Sequence, residues 1–454
     1  MGFADVTWFL VVTVVGTRWI ATAAAVGPAA LTLWAIGFAT LFVPMAYTVV
    51  ELSRRYPGEG GLYIWTREAF GEYPGFIAGW TYWASNLPFF PGLLYFAAAS
   101  ALYAFGPSGH ALSNSVPYFV IASLAGLALA LGLNLLGLRV GKWLFNSGAW
   151  GTWIPIALLV AVAAVYASRH GPATPFDAAH LLPGPSLTNL MLCSTIAFAF
   201  GGFEAASFMG DEIVDAPRTV PRAILAAGAI VTAVYVLGTL AVLVTVPQAE
   251  VSGLEGIMQA IERATRQAGA SWLTPFSAAL LAIGSLGAVG AWLASTGRLT
   301  FVAGLEHYLP PAFSKLHPRW GTPYVALLVQ GVGAALFAVL GQAGTGVKGA
   351  FDALTALAAV AYFIPLMMMF AALIALSKVS APEGAPGFPG GRPVAILMGA
   401  LGLATTSISL ILALLPPSGS AHPGLDFAKV MGGTVLVLAG GSLLYWRRPG
   451  RTRR

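Results

Sequence analysis

From Ala223 to Val246 the chain runs 24 residues without one charged side chain. As an α-helix such a run is about 36 Å long, more than the ~30 Å hydrocarbon core of a bilayer, and in lipid only a helix of this kind satisfies its own backbone. Similar runs, separated by short clusters of glycine, proline and charge, predict helices near 6–26, 29–53, 74–105, 116–137, 143–167, 190–210, 223–246, 273–297, 323–341, 350–377, 392–415 and 427–446. The expected fold is an all-α integral membrane protein of about twelve transmembrane helices in a single domain spanning 1–454. Only 9% of residues are charged, against roughly 25% in soluble proteins, which excludes a water-soluble enzyme. Cys193 is the only cysteine, so no intramolecular disulfide can form.

The formal charge of +6 concerns topology rather than nucleic acid, because the basic residues lie between apolar runs instead of forming a patch. With the N-terminus inside, the inner segments collect Arg54, Arg55, Arg67, Arg139, Lys142, Arg218, Arg222, Arg298, Lys315, Arg319, Lys378, Arg392 and five arginines after Trp446. The outer ones hold only Arg169, Arg263, Arg266, Lys348 and Lys429. This bias of 17 to 5 puts both termini in the cytoplasm of a cell (inner) membrane. Thr7 to Ala25 lacks a basic leader and carries Arg18, so it reads as a first helix and not as a signal peptide. Two rich inner segments, Ser53 to Phe70 and Arg298 to Gly321, occupy matching places. The chain therefore divides into a first five-helix unit over 1–167, a second of opposite orientation over 190–377, and helices 11 and 12 over 392–446, the pattern of an inverted repeat.

Helices 1 and 6 each combine glycine with a charge at mid-depth: Val15-Gly16-Thr17-Arg18-Trp19 and Phe200-Gly201-Gly202-Phe203-Glu204. Glycine loosens a helix, and unwound backbone survives in a membrane only where protein or a watery cavity satisfies it. Matched interruptions in two halves point to a transporter's binding site, although glycines also serve simple close packing of helices.

At these residues the chain resembles the amino acid–polyamine–organocation (APC) permeases. The resemblance rests on Glu51-Leu52-Ser53-Arg54-Arg55-Tyr56-Pro57 with Gly60-Gly61-Leu62-Tyr63, and on Gly202-Phe203-Glu204 with Asp211-Glu212 and Pro217 to Ala223. It extends to Arg298 through Pro310-Pro311-Ala312-Phe313 to Gly321-Thr322-Pro323. It implies a LeuT-type 5+5 inverted repeat plus two helices, working by alternating access without cofactor or covalent step. It also implies a substrate pocket of Gly16, Thr17 and Arg18 on helix 1 with Phe198, Ala199 and Gly201 on helix 6. Trp292 on helix 8 and Phe90 with Leu93 on helix 3 complete it. The family's helix 1 motif has a second glycine where this chain has Arg18, so its usual backbone nest for a substrate carboxylate is altered.

Arg18 costs about 2.5–3.5 kcal/mol at mid-membrane unless paired or wetted. Three roles are open: an ion pair with Glu204, a direct substrate contact favouring a carboxylate, or a fixed cation where sodium-coupled relatives hold an ion. Glu204, the one acidic residue deep in a predicted span, is the candidate for proton coupling. No lysine lies between Lys142 and Arg169, where some proton-coupled relatives use one. Ser295 and Thr296 resemble a sodium-site hydroxyl pair, but hydroxyls in helices usually bond their own backbone. Glu51, Arg54, Arg55, Asp211, Glu212, Arg218 and Arg222 suit either a gate or topology anchoring. The six histidines show no ligand spacing, so no metal is expected. The expected function is secondary transport of amino acids or related amines, its partners being that small molecule, the bilayer and protons. A non-transporting sensor or a polyamine carrier is the alternative. A membrane enzyme or channel would need polar clusters or a repeating filter that the sequence lacks.

Overall fold

The computed structural model describes all residues except 57–59, 185, 303–307, 380–386, 417–419, 421 and 448–454, and all described side chains except 138–142, 145, 209–212, 298–302, 311 and 314. Pro57 and Gly58 therefore lie outside the described residues, as do the arginines beyond Arg447. So do the side chains of Arg139, Lys142, Asp211, Glu212, Arg298 and Pro311.

Ten described helices are long and apolar enough to cross a membrane. An eleventh span is the pair Phe3–Val14 and Thr17–Ala24, bent by 47°, and Tyr324–Leu340 is a shorter apolar helix. Together they make the expected all-helical membrane architecture of about twelve. Helix 1 is the bent pair and helix 2 runs Ala29–Arg55; helix 3 is Glu72–Leu102, helix 4 Val116–Leu135 and helix 5 Leu138–His170. Helix 6 starts as Leu187–Ala199 and resumes as a tighter 3-10 turn, Phe203–Glu212; helix 7 is Ala216–Thr245 and helix 8 Leu273–Val302. Helices 9 to 12 are Tyr324–Leu340, Val347–Leu376, Gly391–Ala413 and Pro423–Trp446.

Helices 3 and 10 form the centre, with 78% and 72% of their most apolar stretches buried, whereas helices 4, 11 and 12 bury only 22%, 28% and 17%. The outer helices show Ile121, Ile408, Ile411 and Leu436 on their exposed faces. Apolar side chains outside and a packed interior are what lipid as solvent demands.

Local sequence explains the irregular places. Pro44 has no N–H for the carbonyl of Thr40, and its ring would press on that carbonyl in a regular helix. The chain widens there into a π turn, Phe38–Phe42, and the Thr40 carbonyl accepts instead from Thr405 Oγ1 at 3.0 Å, which docks helix 11 on helix 2. The connection between helices 7 and 8 holds an amphipathic helix, Gly256–Gln267, which the apolar-run reading leaves as a loop because its charges interrupt the hydropathy. Ile257, Met258, Ala260, Ile261 and Ala264 bury one face, and Arg266 pairs with Glu262 on the other. The basic residues at the end of helix 2 make local contacts: Arg54 pairs with Glu51 at 3.3 Å, and Arg55 lies 3.4 Å over the ring of Phe388.

Helices 5 and 8 touch backbone to backbone. A Cβ on Gly148 would lie 2.7 Å from the Gly287 Cα, and one on Gly151 would lie 2.5 Å from the Gly284 nitrogen. Small residues at such a crossing let dispersion act over the whole contact. Gly287→Val should therefore force the two helices apart and cost about 1–3 kcal/mol of overpacking. Thermal unfolding of the purified variant in detergent should begin several degrees lower, and an unchanged melting curve would contradict the contact.

Candidate functional site

The first break falls at Val15 and Gly16, both extended, between the two halves of helix 1. Gly16 is required by space, since a Cβ would meet the Trp19 Nε1 at 2.5 Å. The second break falls at Gly201 and Gly202. A Cβ on Gly201 would lie 2.5 Å from the Tyr362 hydroxyl, and Gly202 has φ +115°, a conformation that glycine alone adopts without strain. The interruptions thus lie where the glycine-plus-charge pattern places them.

Freed backbone groups inside a membrane protein must find partners. At both breaks one hydroxyl does this. Tyr235 Oη on helix 7 accepts from the Gly16 N–H at 3.1 Å, and its own proton faces the carbonyls of Val14 at 2.8 Å and Ala199 at 3.0 Å. Its ring stacks on Trp34 with centroids 4.4 Å apart, and Trp34 donates its indole N–H to Thr239 at 3.0 Å. Helix 7 thereby ties helix 1 to helix 6.

Glu204 closes the second break. Its Oε2 accepts from the Gly202 N–H at 3.0 Å, and its Oε1 accepts from Tyr82 at 2.9 Å and Tyr362 at 2.7 Å. The carboxyl is fully buried and has three neutral donors and no cation. This corrects one expected role, because Arg18 does not pair with Glu204. Helices 3, 6 and 10 already supply three hydrogen bonds to the carboxylate, and the guanidinium lies elsewhere. Arg18 sits with its Cζ 4.1 Å from the Trp19 ring centroid and 4.6 Å from that of Phe89, against Gly92 of helix 3. It is 1% exposed, yet neither Nη1 nor Nη2 has a hydrogen-bond partner.

Between the breaks lies a cavity with about 740 Å³ of empty space counted together with its open mouth. Gly16, Thr17, Arg18, Leu93, Phe198, Ala199, Gly201 and Trp292 all line it. Glu204 stands one layer behind, in contact with the lining residues Tyr82 and Tyr362. Phe90 is a correction: it is fully buried away from the cavity, and Phe89 lines the wall instead. One residue is about 100° of helix rotation, and Pro88 and Pro91 flank this turn of helix 3, which blurs any register transferred from a motif. Phe89 packs on Phe198 and Trp292 with centroids 6.3 and 6.1 Å apart, and Phe198 packs on Trp19 at 5.3 Å. The wall is therefore an aromatic cage with one charge in it. Thr296 donates to the Trp292 carbonyl at 2.6 Å and accepts from Gln330 at 2.6 Å, so its hydroxyl serves packing between helices 8 and 9.

Sequence reading missed Tyr82, Phe89, Tyr235 and Tyr362. The available signal was a tyrosine at the middle of an apolar run, because a buried hydroxyl needs a partner.

A bundle of membrane helices around a central cavity, with two helices broken at its wall, defines a membrane transporter rather than an enzyme. The chain matches the model of the amino acid permease family over residues 1–437 and belongs to that family, within the APC superfamily. It is 30% identical to an uncharacterized transporter of Legionella pneumophila over 383 residues, 84% of this chain and 82% of the relative. It is also similar to the probable agmatine/putrescine antiporter AguD of Lactococcus lactis, at 23% identity over 94% of this chain and 91% of the relative. The serine/threonine exchanger SteT of Bacillus subtilis is 28% identical over 66% of each chain.

Removing the Tyr235 hydroxyl tests the tie between the breaks. Tyr235→Phe keeps the stack on Trp34 but leaves the Gly16 N–H and two carbonyls without that partner. It should cost about 1–3 kcal/mol. A melting temperature equal to the parent's in detergent would show that the hydroxyl is dispensable.

Proposed function

We propose that this permease is a secondary active transporter that moves amino acids or related amines across the cell membrane by alternating access. Both termini face the cytoplasm. Two five-helix units of opposite orientation, 1–167 and 190–377, rock about the cavity, and helices 11 and 12, 392–446, brace them. The observation that carries this reading is the cavity itself, lined by both helix breaks and an aromatic cage. Substrate is held by the backbone near Gly16, Thr17, Ala199 and Gly201, by Arg18, and by the faces of Leu93, Phe198 and Trp292. Phe89 takes the part first assigned to Phe90. The antiporter and exchanger named among the relatives support exchange of one substrate for another.

Glu204 is the group that couples transport to protons. As a carboxylate it accepts all three of its hydrogen bonds. Protonation turns one oxygen into a donor and removes the charge, which weakens the bonds accepted from Tyr82, Tyr362 and Gly202. The Gly202 N–H belongs to the break, and the proton therefore acts on the backbone that changes shape when the cavity switches sides.

Reconstitution in proteoliposomes tests both parts. The parent protein should accumulate or exchange a labelled amino acid. Glu204→Gln, which places a permanent donor in the same space, should slow uptake by about tenfold or more and flatten its pH profile, the effect of losing one hydrogen bond to a charged group. Normal uptake with an unchanged pH profile would remove Glu204 from coupling. Substrate binding without any flux would make the protein a sensor instead.

A further inference from the structure

The cavity wall of this permease carries one charge that no anion among the described lining residues neutralises. Among the described residues that line it, Arg18 is the only charged side chain, and its Nη1 and Nη2 are buried without a hydrogen-bond partner. Burying an unpaired cation is costly, and intramembrane charges persist where a ligand or pathway uses them. The geometry says which ligand. The Arg18 Cζ lies over the Trp19 and Phe89 rings at 4.1 and 4.6 Å, a cation–π contact that leaves its N–H groups unbonded. The unbonded Nη1 and Nη2 form the fork whose parallel N–H groups match the two oxygens of a carboxylate. Arg18 also sits in the first turn of the half-helix Thr17–Ala24, whose positive dipole end favours an anion at the same place.

The groups at the breaks that could recognise an amine by charge or by a carbonyl are in use. Tyr235 engages the carbonyls of Val14 and Ala199 at the two breaks. Glu204, the carboxyl nearest the cavity in helix 6, is fully buried and accepts three hydrogen bonds. A second positive charge entering the cage would meet Arg18 with no free anion among the described lining residues.

We infer that the Arg18 guanidinium is the carboxylate receptor of this permease and that its substrates are organic acids, zwitterionic or anionic, for which an amino group is not the recognised feature. This rests on the transport reading above and shifts its substrate class from amines to carboxylic acids, amino acids included, excluding diamines such as those named for the Lactococcus relative.

The test is a thermal-shift panel on the purified full chain with L-glutamate, succinate and putrescine, since a ligand that binds the folded state raises its melting temperature. Glutamate and succinate should both stabilise the protein, and putrescine should not. Arg18→Gln should abolish both shifts. Arg18→Lys, which keeps the charge without the planar fork, should weaken them by about tenfold or more. Because Arg18→Gln removes an unpaired buried charge, its ligand-free melting temperature should equal or exceed the parent's. Should that variant fail to fold, Arg18→Lys alone decides. Stabilisation by putrescine, a glutamate shift without a succinate shift, no shift from either acid, or an undiminished shift in the Arg18 variants would each overturn the inference. The transport reading fails separately: acids that stabilise the protein through Arg18 but never cross proteoliposomes would leave the binding site and remove the flux.

Discussion

Two helices are unwound inside a medium that offers their backbone no water, and three phenolic hydroxyls and one carboxyl make this tolerable. Tyr235 holds the Gly16 N–H and faces the carbonyls of Val14 and Ala199, so a single hydroxyl spans both breaks. Tyr82, Tyr362 and Glu204 close the second break around the Gly202 N–H. Without such partners each freed group would carry a desolvation cost comparable to a lost hydrogen bond, and the helices would rewind and fill the cavity. The binding space exists because side chains on helices 3, 7 and 10 stabilise backbone on helices 1 and 6.

The surrounding helices divide into rigid contacts and adjustable ones. Helices 5 and 8 meet through glycines at backbone distance, and their inner faces supply Thr152, Gly284, Ser285 and Ala288 to the cavity wall. A contact of that kind has no side-chain rotamers to rearrange. The breaks are the opposite case. Their hydrogen bonds are few, made by side chains, and exchangeable among a handful of acceptors.

Much of this was legible in the sequence, for identifiable reasons. Helix length and position follow from charge-free runs, because lipid penalises every exposed backbone group. The two breaks follow from glycine beside a charge at mid-depth, a pairing that an ordinary lipid-facing helix does not tolerate. Orientation around a helix axis was harder to read: Phe90 and Phe89 exchange places through one residue of register beside Pro88 and Pro91. The partner of Glu204 was also illegible. A charge in one broken helix suggests the opposite charge in the other, but three neutral donors from helices 3, 6 and 10 reach the carboxyl first. Those donors lie 122 and 158 positions away for Tyr82 and Tyr362, and no local pattern announces them. The helix Gly256–Gln267 was missed for a different reason, since its polar face breaks the apolar run that marks a span.

The separation of Arg18 from Glu204 bears on how such a carrier cycles. A mutual ion pair would neutralise both charges in the empty protein and make the empty carrier as easy to reorient as the loaded one. Here Glu204 is satisfied by its own hydrogen bonds, while Arg18 is left with an aromatic cage that compensates only part of its lost hydration. A carboxylate bound at Arg18 removes that deficit, so the loaded state has the smaller cost of closing the cavity on both sides. Occluding the cavity when empty means dehydrating an unpaired guanidinium, which raises the barrier for the return step. A barrier raised for the empty carrier and lowered for the loaded one favours exchange of substrate for substrate over net one-way movement. On the proposed role of Arg18, one side chain thus bears on the energetics of the cycle as well as on the choice of ligand.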